Sequence, residues 1–135
     1  MKTINPKQLE QKEREWYVID AKLTLRLASK IAVILRGKDK VNYAPYVDND
    51  YVIVLNSDKF NVTNKLSDKM YYTHSYLGVK DSTLSELLVK KPTKALELAV
   101  SMLPKNKLRK TMISRLKLVV ENHIFSAQQP KELKL

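Results

Sequence analysis

Two short runs, WYVID at residues 16–20 and YVIVL at 51–55, constrain the fold more than any other feature of this chain. Both are apolar and β-branched almost without interruption, which fits strands buried on both faces rather than strands with one solvated side. Between them, TLRLASKIAVILRGK carries Leu25, Ala28, Ile31, Ala32 and Leu35 at helical spacing, with Gly37 placed as a helix stop. A strand, a crossover helix and a second strand imply a right-handed parallel unit.

The remaining segments continue the alternation. KFNVTNK and KMYYTHS are weaker extended candidates on either side of a polar turn. STLSELLVKKP sets Thr83 and Glu86 at capping-box spacing, so a helix is expected there, and a second amphipathic helix is expected from Pro92 to about Met102. LKLVVEN reads as a last strand, and the tail FSAQQPKELKL as an extended surface segment. With 135 residues, 44% of them hydrophobic, and no repeat or linker, the expectation is a single domain over 1–135, with a core at about 14–122 and a tail at about 123–135.

Catalytic chemistry finds little support. There is no phosphate-cradling glycine loop, no nucleophile elbow and no cysteine, and the two histidines, His74 and His123, lie far apart. Asp48 and Asp50 in VDNDY lack the further oxygen ligands that a hard cation requires. The N-terminal stretch has no apolar signal region, and no run approaches the length of a membrane span. The expectation is a soluble cytoplasmic protein, not an enzyme, without metal, cofactor or membrane partner. A nucleotide- or substrate-binding α/β enzyme is the alternative that the fold class alone would allow.

Charge supplies the positive signal. Against 14 Asp and Glu stand 25 Lys and Arg, a net charge of +11, so a polyanion is the expected partner. Three clusters concentrate the cations. LRGKDK sets Arg36, Lys38 and Lys40 around Gly37 at a helix end, where they could meet phosphates or simply complement the helix dipole. KMYYTHSYLGVK places Tyr71, Tyr72 and His74 between Lys69 and Lys80, a mixture suited to unpaired bases and phosphates, although tyrosines also fill sheet edges. MLPKNKLRKTMISRLKL carries Lys105, Lys107, Arg109, Lys110, Arg115 and Lys117 with no acidic residue among them. On a helix starting near Leu108, the residues Leu108, Met112, Ile113 and Leu116 would face the core and the cations would face outward. A solvated face normally mixes both signs; this one does not.

WYVIDAKLTLRLASKIAVILRGKDK, YAPYVDNDYVIVLN, DKMYYTHSYLGVK, LELAVSMLPKNKLRK and AQQP occur in that order, and together they resemble the bacterial large-subunit ribosomal protein L-thirteen family from about Trp16 to Pro130. The resemblance implies a three-layer α/β domain with a mainly parallel central sheet flanked by helices and with extended N- and C-terminal segments. It implies a non-enzymatic protein bound to large-subunit ribosomal RNA early in subunit assembly, beside neighbouring large-subunit ribosomal proteins, and it admits repression of the protein's own messenger RNA. It places the RNA-facing positions at Arg36, Gly37 and Lys38, at Tyr71, Tyr72 and His74, and along the basic segment that runs from Met102, Leu103 and Pro104 through Lys117.

One departure from that family pattern is conspicuous. Only Gly37 and Gly78 are present. The family pattern has further glycines before Arg26, between Asn49 and Asp50, after Thr63, after Ser75, beside Gly78, after Ser101, before Arg109 and before Glu121, and here the flanking residues abut. Glycine supplies positive φ in tight turns, so its loss strains a turn or shifts the register of the next element. Either the loops are truly shortened or the chain as written omits their glycines. An intact mass of 15.6 kDa establishes the shortened chain, and a mass higher by several glycine residues rejects it.

Overall fold

A computed structural model describes residues 14–22, 26–41, 43–47, 49–60, 62, 68–100, 103–121 and 131–132. In chain order the elements are β1 (Trp16–Asp20), α1 (Leu27–Arg36), β2 (Tyr51–Leu55), β3 (Met70–Ser75), β4 (Gly78–Thr83), α2 (Leu84–Lys90), α3 (Pro92–Val100), α4 (Leu108–Ser114), β5 (Leu116–Leu118) and β6 (Lys131–Glu132). Four strands form one parallel sheet in the order β5-β2-β1-β6, while β3 and β4 form a separate antiparallel hairpin. The fold is α/β, a parallel sheet flanked by helices.

Register explains the core. Tyr17 pairs with Val52 and Ile19 with Val54, while Val52 pairs with Leu116, so these side chains share one face. Ile31 and Leu35 of α1, Leu96 and Val100 of α3, and Met112 of α4 pack against that face. On the opposite face Val18, Ile53 and Leu55 are buried too, with Trp16 and Val119 beside them. Both faces are dry, as the continuous apolar runs predict, and each fully buried Val, Leu or Ile contributes about 1.5–3 kcal/mol. Trp16 and Tyr51, paired across β1 and β2, stack with ring centroids 4.2 Å apart.

Local signals act where expected. Gly37 closes α1 in the left-handed region (φ 77°), its N–H donating to the carbonyls of Val33 and Ile34. Thr83 Oγ1 accepts from the Glu86 N–H at 3.3 Å and caps α2. Helix α3 is described from Pro92 to Val100, and Met102 lies outside the described residues.

Three expectations change. The last central strand is shorter than LKLVVEN, since β5 covers only Leu116–Leu118, although Val119 still donates to the Val54 carbonyl at 2.9 Å. The tail is more than a surface strap: Lys131 and Glu132 pair with Tyr17 and Val18 and extend the sheet. Its fastening is the Lys131 ammonium, 2.8 Å from the Glu15 carboxylate, which also accepts from the Tyr17 hydroxyl. Lys131 and Tyr17 together hold the Glu15 carboxyl down at about 2, below its ordinary 4.5. Most of KFNVTNK, residues 61 and 63–65, lies outside the described residues, and Lys59, Phe60 and Val62 are not in a strand.

The start of α1 has an unusual backbone. Arg26, the N-cap, sits at φ 54° and makes no side-chain capping bond. A left-handed conformation costs a non-glycine residue roughly 1–2 kcal/mol, against the roughly 0.5–1 kcal/mol that glycine costs through its greater freedom when unfolded. Arg26→Gly is therefore expected to raise stability by about 0.5–1 kcal/mol, read as a shift in the denaturation midpoint at unchanged m-value. A loss of stability would show that the left-handed Arg26 carries no strain.

Candidate nucleic-acid interface

One edge of the sheet is organised around Arg115. The residue is 3% exposed; one terminal guanidinium nitrogen donates to the Asn49 carbonyl at 2.7 Å and the other to the Leu35 carbonyl at 3.1 Å. Arg115, expected to face phosphate, is instead buried, with both terminal nitrogens turned to the end of α1 and the start of β2. Asn49, itself buried, donates to the Arg36 and Val47 carbonyls. Its side chain fills the space where a Cβ on Gly37 would stand. Gly37 is buried and serves the turn. Lys40 is likewise committed to an ion pair with buried Asp50 at 2.5 Å, and Asp50 also accepts from the Glu15 N–H at 3.0 Å. Of the first cluster, Lys38 is fully outward and Arg36 half-buried.

The same clamp draws the basic segment alongside. Helix α4 buries Met112 and packs Leu108 and Ile113 against the core, as its spacing predicts, and Leu116 is buried at the start of β5. Lys105, Lys107 and Lys110 are exposed, Arg109 is half-buried, and Lys117 is exposed with its ammonium donating to the Ser114 carbonyl at 3.0 Å. Because Arg115 binds the Leu35 carbonyl, the end of α4 lies beside the end of α1. The seven residues of α4 span about 10 Å, so the basic turn that precedes it lies one short helix away from the clamp. The clamp thus ties together the two segments that carry the first and third clusters.

The aromatic cluster is elsewhere and is divided. Alternation along β3 sends Tyr71 and Tyr72 to opposite faces. Tyr71 is half-buried in a groove of about 330 Å³ with Arg26, Leu27, Phe60, Leu84 and Leu96, and the Lys69 ammonium lies 5.4 Å from its ring centroid. Tyr72 and His74 are exposed on the outer face, while Lys80 is exposed on β4. Since Arg26 and Leu27 begin α1, this cluster sits at the helix end opposite the clamp.

Sequence reasoning missed Asn49 and Asp50 as buried polar anchors. Their only sequence signal is position, immediately before the buried strand YVIVL. His123 and Asp48 lie outside the described residues. Among the described residues no group of three His, Asp or Glu side chains could hold a metal ion, and no helix is long and apolar enough to cross a membrane.

The clamp and the exposed cations should separate cleanly on mutation. Arg115→Met removes the buried donors and orphans two carbonyls, so a loss of about 3–5 kcal/mol is expected in chemical denaturation. Lys110→Gln should stay within about 0.5 kcal/mol of the parent. Near-equal stabilities would refute the clamp.

Comparison with known proteins agrees with this architecture. Residues 14–124 match the family described as Ribosomal protein L13. The chain is 50% identical to large ribosomal subunit protein uL13 of Maridesulfovibrio salexigens over 98% of this chain and 99% of that one, and 52% identical to that of Spiroplasma citri over 91% and 90%. With its counterpart from Baumannia cicadellinicola the identity is 47% over the whole of both chains. On the match over residues 14–124 and identities near one half along almost the entire length, the chain belongs to the ribosomal protein L13 family, a family of structural, non-enzymatic proteins of the large ribosomal subunit.

Proposed function

We propose that the chain binds large-subunit ribosomal RNA through the basic surface around the ends of α1 and α4, and that this contact serves early assembly of the subunit. The observation that carries the reading is the division of labour along residues 103–120. Leu103, Met112 and Leu116 are buried, Lys105, Lys107, Lys110 and Lys117 are exposed, and the stretch contains no acidic residue. Such a face repels itself in isolation and is neutralised when phosphates replace their counterions with it. Lys38, brought alongside by the Arg115 clamp, enlarges the footprint. Cations on a rigid helix and turn fix position and orientation on folded RNA, whose shape supplies most of the selectivity. Binding to the protein's own messenger would use the same surface, because phosphate contacts carry little sequence information.

Changing Lys105, Lys107 and Lys110 together to Gln tests the proposal. Stability should change by no more than about 0.5 kcal/mol. Affinity for large-subunit RNA should fall, and the slope of log K against log salt should shrink by about one unit for each phosphate no longer neutralised. Parental affinity and slope in the folded triple variant would remove this segment from the interface.

A further inference from the structure

The hairpin β3–β4 has two chemically different faces. Lys69, Tyr71, Lys80 and Ser82 fall on one, with Tyr71 turned into the groove beside α1. Met70, Tyr72 and His74 fall on the other, opposite Thr83, Asp81 and Val79 in the register. This second face contains no Lys or Arg in a chain that has 25 of them, and it carries an aspartate. It is also apolar and open: Tyr72 is 64% exposed, Val79 58% and Met70 39%, and at the two-residue tip Tyr76 and Leu77 are exposed almost entirely.

Resting on the reading that the chain sits in the large subunit and holds ribosomal RNA with its basic surface, we infer that the Met70–Tyr72–Val79 face and the Tyr76–Leu77 tip dock a neighbouring protein of that subunit, not RNA. Charge decides between the two. A base stacked on Tyr72 would bring flanking phosphates over Asp81 with no lysine or arginine on that face to receive them, whereas single-stranded RNA sites pair their aromatic platforms with cations. A protein partner needs an apolar recess for Tyr76 and Leu77 and a donor for the Asp81 carboxylate, the usual pattern of an aromatic and apolar anchor with a polar rim. The opposite face, with Lys69 and Lys80, remains suited to RNA, so the hairpin would sit between the two.

The test uses the full chain and two binding targets: naked large-subunit RNA, and large-subunit particles reconstituted without this protein. The double variant Leu77→Ser with Val79→Thr alters residues outside the buried core and should fold as the parent does, checked by circular dichroism. It is expected to bind naked RNA within twofold of the parent and to be retained by the particles at least tenfold less well. A benzophenone crosslinker placed at residue 77 should yield a protease-sensitive protein adduct in the particle. Equal retention by the particles, or an adduct to RNA, overturns the inference, as does an equal loss on naked RNA. Failure of the parent to bind naked RNA would strike the RNA-binding proposal alone, since the particle arm and the adduct still decide this one.

Discussion

The buried guanidinium of Arg115 is the contact on which the functional edge of this protein depends. All four strands of the main sheet are parallel, so their starts lie at one end of it, where buried backbone groups beyond the ladder need other partners. Arg115, just before β5, reaches the Asn49 carbonyl before β2 and the Leu35 carbonyl at the end of α1, spanning separations of 66 and 80 residues. Asp50 continues the network by accepting from the Glu15 N–H before β1 and pairing with Lys40. Desolvating a cation is costly, and the carbonyls offset that cost only because α1 stops where it does. Gly37 sets that stop, and its missing Cβ admits the Asn49 side chain. The charge inside therefore determines where the charges outside stand.

How much of this was legible in the sequence depends on what kind of signal each part leaves. β1 and β2 could be read directly, because strands buried on both faces write continuous apolar runs. The inner stripe of α4 was equally plain, as was the Thr83 cap. β4 was hidden because GVKDST on an exposed hairpin has little alternation to detect, and β6 because two residues paired through the backbone leave no side-chain pattern. The site was half legible. Exposed lysines announce themselves by composition, but Arg115 sits in the same basic run and differs only in meeting two carbonyls from distant segments. No local pattern distinguishes it.

Geometry also changes the number of sites. Three basic clusters along the chain become two places in space, at opposite ends of α1, whose ten residues span about 15 Å. The clamp end is a cationic surface on rigid elements, suited to fixing RNA helices. The hairpin end divides its faces between a lysine-bearing side and a cation-free apolar side. One helix thus separates the basic segment at the clamp from the aromatic hairpin, and Ile31 and Leu35 pack it onto the sheet.

The scarcity of glycine ties these features together. The two glycines kept are the two whose backbone demands them, Gly37 at φ 77° and Gly78 at φ 119°. Other turns of the described chain are made in different ways. Before α1, Arg26 takes the left-handed conformation itself. At the hairpin, a tight two-residue connection of the usual kind would place a positive φ at a central position, yet neither Tyr76 nor Leu77 has one, and Gly78 alone carries the reversal. Both of these large apolar side chains project into solvent. The hairpin tip is therefore both apolar and prominent, and exposed apolar surface of that kind is the usual mark of an interaction site.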